Sequence, residues 1–388
     1  MRNLEVSLRH GRPGRACPGI TNAMPRRGFR KVTLPSRYIQ GAGAIDDIGS
    51  FVSSYGKRPF VVSGRTAFNR AGPRMEASLS SAGTPLVGHD DGVKECTYAR
   101  IDSAVEKTSE AGADLIIGCG GGKAVDTAKA VAERQSLPVI TVPTQCATNA
   151  DQMADAVIFT EDHQFIEDYY LSRAPALVLV DTEIVGFAPV EFLVQGMGDA
   201  LASGFEKPAY ASAMLARSSD TLASAATVEV NMRCFSTLMA HGVQAKEDSL
   251  NGVMSESLEA IIEAIKLMSG FGFGGGGCAA AHAIHNGLTS VPGVTRKHGE
   301  IVAFGTLSQM IMEGRPSQEV EPVMRWCRSV GLPTCLEELG DFDDSLLPAA
   351  AKKACDPSDT MANMPFEVTP EMVVSSIRRV DEMSKGLG

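Results

Sequence analysis

The spacing of hydrophobic residues predicts two stretches of the chain with different secondary structure, divided near residue 185. Between residues 57 and 181, short runs of aliphatic and β-branched residues alternate with amphipathic stretches. Continuous apolar strands separated by helices are typical of a parallel sheet with helices on both faces. We predict strands over residues 59–62, 85–88, 115–117, 138–142 and 177–180, and helices that include 74–81, 101–111 and 125–134.

Beyond Asp181 the pattern predicts helices only, because apolar residues recur three and four positions apart. A clear example is the series Leu258, Ile261, Ile262, Ile265 and Met268. We therefore predict an α/β, Rossmann-like domain with a parallel sheet over residues 32–185 and an all-α domain over 186–388. Ligands of open α/β sheets bind beyond the carboxyl ends of the strands, so we expect the active site in the cleft between these domains.

The first 31 residues differ from the rest, since they carry eight basic side chains and a single acid, Glu5. An organellar transit peptide has this composition. The alternative is a disordered extension, or an upstream start codon with Met24 as the working start. Pro13, Pro18 and several glycines disfavour an amphipathic helix, so the extension is the preferred interpretation. We expect a cytoplasmic protein, with organellar targeting as the alternative.

Charge and cysteine content exclude several classes of protein. The net charge of −10 argues against a nucleic-acid-binding surface. No apolar run reaches the roughly 18 residues that a membrane helix needs, so we expect no membrane span. The nine cysteines form no CxxC pair, which predicts reduced thiols rather than disulfides or a zinc ribbon.

A glycine cluster, residues 118–122 followed by Lys123, comes after a predicted strand and begins a predicted helix. Glycines let the backbone approach a pyrophosphate, and the N-terminus of a helix binds anions. The cluster matches neither the P-loop nor the GxGxxG pattern, so an ordinary strand-to-helix turn stays open as the alternative. Asp126 lies in the first turn of the same helix.

Three of the seven histidines, His282, His285 and His298, lie within 17 residues. His282 and His285 share one helical face, and the loop with Pro292 and Gly293 can return His298 to His282. Upstream, we interpret residues 196–199 as the end of a linker and the start of a helix, with Asp199 at that helix terminus. A carboxylate with two imidazoles leaves coordination positions open, as at a catalytic metal, although the histidine pair alone is more typical of ordinary packing.

Four segments in this order resemble the glycerol dehydrogenases of the group III, metal-dependent alcohol dehydrogenase superfamily. The similarity runs from about Arg37 to the C-terminal helices. It implies reversible hydride transfer between a secondary alcohol, such as a vicinal diol, and NAD(P), with an alcohol or ketone as the small-molecule partner, and a homo-oligomer. The segments are GCGGGKAVDTAKAVA, RAPALVLVDTEIVGFAPVEFLVQGMGDALAS, GCAAAHAIHNGLTSVPG and HGEIVAFGTLSQ.

The resemblance also implies roles for particular residues. Asp199, His282 and His298 are the implied ligands of one divalent metal, for which Zn²⁺ is favoured over Fe²⁺, although this ligand set accepts both. His285 is the implied proton relay near the substrate. The implied cofactor-binding residues of the glycine turn and the nicotinamide end are Gly120, Gly121, Gly122, Lys123, Asp126, Thr144 and Thr148.

At two positions the chain lacks an acid that the family pattern leads us to expect. Asn149 occupies the position of an acid that meets a substrate hydroxyl, and Asp151 is the alternative source of that acid. Ser63, Gly64 and Arg65 occupy the end of the first strand, where NAD-dependent relatives have an acid. Arg65 can pair with a phosphate, so we predict that NADP is preferred to NAD, with acceptance of both as the alternative.

A third difference concerns the substrate pocket. Residues 273–277, Phe-Gly-Gly-Gly-Gly, replace a more polar stretch, and Gly204 stands where the family often has an aromatic residue. We expect both changes to enlarge or loosen the pocket.

Two other functions are compatible with the same motifs. One is a dehydroquinate-synthase-like cyclase or lyase, which also uses a nicotinamide and a metal. Those enzymes have a Glu at the position of Asp199 and a basic phosphate-binding set, of which only Arg296 and Lys297 are found here. The other is an inactive nucleotide-binding scaffold, which the complete trio of metal ligands argues against.

Overall fold

The computed structural model describes residues 28–217, 219–273 and 277–387. Most of the predicted N-terminal extension, residues 1–27, lies outside the described residues. Its last residues do form structure, because β1 (Phe29–Arg30) pairs in parallel with Thr221–Leu222 in the second half of the chain. The extension, as far as it is described, is therefore attached to the helical half and is not separate from the fold.

A six-stranded parallel sheet forms the centre of the first half of the chain. Its strand order is β2-β9-β6-β5-β3-β4, and every neighbouring pair is parallel. All residues of β3, β5, β6 and β9 are buried, as the apolar runs predict. After β1 the strands of the described residues are β2 (Tyr38–Gly41), β3 (Pro59–Ser63), β4 (Gly88–Asp90), β5 (Leu115–Gly120), β6 (Val139–Pro143), β7 (Asp155–Phe159), β8 (Phe165–Tyr170), β9 (Leu177–Asp181) and β10 (Thr221–Leu222).

Helices cover the sheet and then make up almost all of the second half. Within the described ranges, none of them combines the length and apolar character needed to cross a bilayer. They are α1 (Ile48–Val52), α2 (Arg65–Ser81), α3 (Tyr98–Glu110), α4 (Gly122–Gln135), α5 (Thr182–Gly186), α6 (Val190–Ala216), α7 (Ala225–Leu250), α8 (Glu256–Glu263), α9 (Gly270–Phe273), α10 (Ala280–Leu288), α11 (His298–Met312), α12 (Ser317–Val330), α13 (Leu347–Ala354) and α14 (Pro370–Gly386), with a π-helix at Ala264–Ser269 between α8 and α9.

The two faces of the sheet pack against different helices, because successive side chains of a strand point to opposite faces. Val61 of β3 belongs to the same apolar cluster as Met75 of α2. Its neighbour Phe60 belongs to the cluster on the other face, with Ile101 of α3. The structure thus confirms the predicted fold: a parallel sheet with helices on both faces in the first half of the chain, and a mainly helical second half.

The sheet has its topological switch between β3 and β5. The chain runs from β3 to β4 on one side and then crosses back to β5 on the other side of β3. The carboxyl ends of β3 and β5, at Ser63 and Gly120, therefore border one crevice, where open α/β sheets bind their ligands. This is the position predicted for the glycine cluster and for residues 63–65.

The predicted strands differ from the observed ones in four places. The pair of β1 and β10 was not predicted, and β10 is a short strand within the half predicted to contain helices only. The weak strand predicted at 85–88 lies instead at β4, since pairing with β3 begins only when the Val87 amide donates to the Pro59 carbonyl at 3.0 Å. The edge strand β2 and the antiparallel hairpin of β7 and β8 were not predicted. β8 is almost wholly exposed, so its sequence lacks the apolar run on which the strand predictions depend.

The prediction of a linker at residues 196–199 is wrong, because these residues lie inside α6. Glycines within a helix weaken it, so their presence needs a packing reason. A Cβ atom on Gly196 would overlap the Cys146 carbonyl, and one on Gly198 would overlap the Gly299 carbonyl. The two glycines therefore allow α6 to touch the loop after β6 and the start of α11. Asp199 consequently lies mid-helix rather than at a helix terminus.

The apolar series that begins at Leu258 is helical, but its second half is not an α-helix. α8 ends at Glu263 and is followed by the π-helix at Ala264–Ser269. π-helical turns are rare and frequently occur at functional sites. Here the wider turn positions Lys266 and Ser269 against the loop that follows β6.

The eight cysteines of the described residues are unpaired thiols. Cys119 and Cys146 are fully buried beside the cofactor crevice, and burial raises the pKa of each to about 12. Since the thiolate is the reactive form, these two side chains are inert packing residues.

Candidate active site

Three helices bring together the side chains predicted to bind a metal. Asp199 comes from α6, His282 from α10 and His298 from the first residue of α11. The Asp199 Oδ1 atom is 3.4 Å from His282 Nε2 and 3.5 Å from His298 Nε2. One ligand atom from each residue can be chosen so that all lie within 4.8 Å of one another, a spacing that a single cation can bridge. The loop with Pro292 and Gly293 does return His298 to His282, as predicted.

The donor set suits a divalent catalytic metal. Asp199 is buried, and burial by itself would raise the pKa of its carboxyl group. The two neighbouring imidazoles, His282 and His298, outweigh this effect and hold the pKa well below its usual range, so Asp199 is a carboxylate. The side chain of His298 is 42% exposed, which leaves one side of the trio accessible to a substrate oxygen. A carboxylate and two imidazoles with an open side fit the metal that the sequence implies.

His285 contacts the trio through His298. Its Nε2 atom lies 3.1 Å from His298 Nδ1, and its own Nδ1 lies 3.0 Å from the Asn286 side-chain oxygen. The Asn286 amide in turn donates to both carboxylate oxygens of Asp359. Burial, followed by the neighbouring His298, lowers the pKa of His285 well below its usual value. His285 is therefore a neutral imidazole that can accept the Nδ1 proton of His298.

Glu206 is a residue of the site that the sequence analysis missed. It lies seven positions after Asp199 in α6, and therefore on the same face of that helix. Its carboxylate is fully buried and lies 2.7 Å from His282 Nδ1, on the side of the ring opposite Asp199. An acid two helical turns beyond a metal-binding acid is the signal that could have indicated it.

The glycine cluster forms a tight turn between β5 and α4. Gly120 has φ +151°, a backbone conformation that favours glycine, and its carbonyl accepts from the Thr144 amide at 3.1 Å. A Cβ atom on Gly121 would lie 2.6 Å from the Gln145 side chain, and one on Gly122 would lie 3.6 Å from Thr148 Oγ1. The turn therefore lies against the Thr144–Thr148 loop, and the N-terminus of α4, at Gly122, faces that loop.

Two polar residues near this turn have protein partners. Lys123 forms an ion pair with Glu95 at 2.8 Å. Asp126, expected from the sequence to bind the cofactor, is buried beneath the hairpin. Its carboxylate pairs with Lys129 at 2.9 Å and accepts from the Val157 amide of β7 at 3.2 Å. Asp126 is therefore a packing residue rather than the expected cofactor ligand, because its charge is neutralised inside the fold.

Residues 63–65 lie at the edge of the crevice, beside the end of β4. Ser63 is fully buried and its hydroxyl has no hydrogen-bond partner. Gly64 is bridged to Gly92 and caps α2. The Arg65 side chain is 78% exposed and forms an ion pair with Asp91 at 3.3 Å. The sequence analysis missed Asp91, which supplies an acid from the neighbouring strand end.

The loop after β6 is held by the π-helix. Lys266 forms a buried ion pair with Asp151 at 2.7 Å and donates to the Thr148 carbonyl at 2.6 Å. The side chains of Lys266 and Asp151 are each only 2% exposed, so Asp151 does not supply the acid for a substrate hydroxyl that the sequence suggested. Asn149 is also largely buried, and its amide donates to Ser269 Oγ at 2.5 Å.

The predicted enlargement of the pocket at Gly204 is not observed. A Cβ atom there would lie 2.8 Å from the Cβ of Phe235 in α7. The glycine therefore permits close packing of α6 on α7 instead of leaving a cavity. The other predicted change, over residues 273–277, falls largely on residues 274–276, which lie outside the described part of the chain.

Comparisons with known proteins agree over almost the whole chain. A family model described as iron-containing alcohol dehydrogenase matches residues 35–182. The glycerol dehydrogenase of Thermotoga maritima is 40% identical over 362 residues, which span 91% of this chain and 97% of that protein. The glycolaldehyde reductase of Halobacterium salinarum is 35% identical over 359 residues, spanning 90% of this chain and 97% of that protein.

A solved structure gives the same result for the fold. The crystal structure of a probable glycerol dehydrogenase from Sinorhizobium meliloti superposes with a TM-score of 0.84 at 35% sequence identity. The superposition covers 93% of this chain and 100% of that one, so the likeness includes both the sheet and the helices that carry Asp199, His282 and His298.

Proposed function

The chain belongs to the iron-containing alcohol dehydrogenase family and is an alcohol dehydrogenase, and on this premise we propose that it oxidises a glycerol-like vicinal diol with NADP and a divalent metal. The observation that carries the proposal is the convergence of Asp199, His282 and His298 on one accessible point. The dehydroquinate-synthase-like alternative gains no support from Arg296, because its guanidinium pairs with Glu300 at 2.8 Å and also binds the Glu338 carbonyl.

The proposed mechanism assigns each group of residues one task. When bound, the metal polarises the carbinol oxygen and lowers the pKa of its hydroxyl, and the nicotinamide accepts the hydride. The trio would hold the metal, and the glycine turn at residues 120–122 would hold the pyrophosphate through its backbone amides. Thr144 and Thr148, which lie against that turn, would border the nicotinamide and so orient the alcohol carbon towards it.

We propose Zn²⁺ rather than Fe²⁺ as the metal. Three nitrogen and oxygen ligands with an open fourth position are the usual arrangement of a catalytic zinc ion. The same ligand types also accept Fe²⁺, so elemental analysis of protein purified without added metal is the measurement that separates the two.

A panel of polyols, hydroxy acids and phosphorylated triols tests both the function and the part that Asn149 plays in it. We expect turnover with vicinal diols, because two neighbouring oxygens can both bind the metal. We also expect Asn149→Asp to raise kcat/KM for glycerol relative to the best substrate of the wild type. The new carboxylate can keep the hydrogen bond with Ser269 and adds a charge that accepts from a hydroxyl.

The matched control is Asn251→Asp, which makes the same change at an exposed amide after the end of α7. An unchanged glycerol ratio in Asn149→Asp would show that this loop does not select the substrate. The proposed function itself would be contradicted if the metal-loaded wild type oxidised no alcohol on the panel with either NAD or NADP.

For the cofactor, we propose that NADP is preferred and that Arg65 selects it. No acid occupies residues 63–65, and the exposed guanidinium can bind a 2′-phosphate in bidentate fashion. Asp91 opposes this preference, because it neutralises Arg65 and would repel the phosphate. We therefore expect Arg65→Ala to lower the ratio of kcat/KM for NADP to that for NAD, and Asp91→Asn to raise it.

Steady-state kinetics with each cofactor make the measurement, and Arg70→Ala, which removes an exposed arginine from the same helix, is the control. Gly64→Asp should move the ratio towards NAD, since a Cβ atom there lies 3.3 Å from its nearest neighbour, the Val93 carbonyl, and needs only a small adjustment. A wild-type ratio that favours NAD tenfold or more would overturn the proposal.

A further inference from the structure

We propose that Glu206 is a positioning residue that sets the tautomer of His282 and thereby directs its Nε2 lone pair to the metal. The inference rests on the proposed function, because it concerns the metal that Asp199, His282 and His298 would hold. Neutral imidazole carries one N–H, and the hydrogen bond made by one ring nitrogen decides which nitrogen is left to bind a metal. The surroundings of Glu206 determine that choice here.

The Glu206 carboxylate is held in one orientation by the start of α10. Its Oε1 atom accepts from the Ala279 amide at 2.7 Å and from the His282 amide at 2.9 Å. Its Oε2 atom lies 2.7 Å from His282 Nδ1. The side chain is fully buried, so water does not compete for either oxygen. A carboxylate fixed in this way can only accept, so the proton on the Glu206 side of the ring lies on Nδ1, and Nε2 is the nitrogen left to bind a metal.

The opposite side of the His282 ring then presents a lone pair to the metal-binding trio. His282 Nε2 is the atom that lies 3.4 Å from Asp199 Oδ1. A carboxylate that binds the outer N–H of a metal-binding histidine fixes the orientation of the ring and raises its basicity. Removal of such a partner typically costs 10–100-fold in metal affinity.

Glu206, Cys278 and His282 also have ligand atoms within 4.8 Å of one another, so a second cation there is the competing interpretation. Two observations argue against it. Both oxygens of Glu206 already accept from nitrogen donors, and His282 Nδ1 cannot carry a proton for Glu206 and offer a lone pair to a cation at once. We therefore expect one metal ion per chain.

The test is Glu206→Gln, which keeps the size of the side chain and removes its charge. The Gln oxygen can still accept from the two backbone amides, which turns the NH₂ group towards His282 Nδ1. That nitrogen must then accept, and the proton moves to Nε2, the atom needed by the metal. We expect Zn²⁺ binding, measured by competition with a chromophoric chelator, to weaken by about 10–100-fold. The substitution should lower the melting temperature of the zinc-loaded protein far more than it lowers the melting temperature measured in EDTA.

The control is Asp248→Asn, which neutralises another largely buried acid, in α7, whose partners are Gln244 and Ser255. It should leave zinc affinity within twofold of the wild type. Unchanged affinity in Glu206→Gln would overturn the proposal, and so would two zinc ions per wild-type chain. A wild type that binds no zinc would instead contradict the proposed function.

If Glu206→Gln does not fold, ¹⁵N-histidine NMR of the zinc-loaded wild type gives the same answer. We expect the His282 signals to show a proton on Nδ1 and a metal-bound Nε2. A proton on Nε2, or a metal bound through Nδ1, would overturn the proposal. The His282 signals can be assigned by through-bond correlation to the backbone of that residue in the zinc-loaded wild type, which leaves the metal-binding residues unchanged.

Discussion

His298→Ala should lose both the bound metal and turnover while the protein stays folded. Only three side chains of the described residues converge on the proposed metal, and a carboxylate with one imidazole is too small a set to retain it. The fold should tolerate the change because His298 is 42% exposed and begins α11 rather than filling a core position. Elemental analysis, steady-state kinetics and thermal unfolding of the metal-free protein make the three measurements.

His282→Ala should lose metal and turnover to the same extent but should also unfold more easily. It leaves the buried carboxylate of Glu206 without its imidazole partner, and an unpaired buried charge is costly. His241→Ala is the matched control, since His241 hydrogen-bonds Ser257 and contacts none of the trio. Full metal occupancy in His282→Ala or His298→Ala would show that the ligand assignment is wrong.

His285→Ala should keep the metal and lower kcat by about 10²–10⁴, the usual contribution of a positioned acid–base group. His285 is a neutral imidazole in contact with His298, and it leads through Asn286 to the carboxylate of Asp359. His285 is the group placed to take up the proton released from the alcohol, while Asn286, held by Asp359, fixes the orientation of its ring. Metal content and the pH dependence of kcat are to be measured together.

His285→Gln separates proton transfer from positioning. Its amide oxygen can still accept from His298 Nδ1, but an amide does not carry a proton between partners at neutral pH. If His285→Gln recovered the wild-type kcat, the residue would act by orienting His298 and the relay would be refuted. A lower melting temperature with kcat nearly intact in His285→Ala would leave only packing as its role.

The parts of the fold that the sequence predicted are those with a strong local signal. The buried strands β3, β5, β6 and β9 are short, continuous apolar runs, the pattern typical of strands in a parallel sheet that is covered on both faces. The hairpin strand β8 escaped prediction because it is almost wholly exposed and its hydrophobic and acidic residues do not alternate along the strand. At residues 196–199 the glycines suggested a linker, although their actual role is close helix packing.

The candidate site was predictable where the family motifs cover it and unpredictable where it depends on pairs of residues outside them. Three histidines within 17 residues made a metal site a candidate, the resemblance added Asp199 and assigned the ligands, and the structure brings these residues together. Lys266 and Asp151 are separated by 115 positions, and no local pattern indicates that they pair. The same is true of Arg65 and Asp91, whose ion pair depends on the order of strands in the sheet.

The contact between α6 and α11 has a consequence for attempts to redesign this enzyme. At Gly198 and Gly299 the two helices meet backbone to backbone, so the separation of Asp199 and His298 is fixed by main chain and not by adjustable side chains. A saturation library at these glycines would return almost exclusively inactive clones, whatever the selection. Diversity is better concentrated in the loop after β6 and at residues 63–65, where new substrate or cofactor ranges can be explored without disturbing the geometry of the metal site.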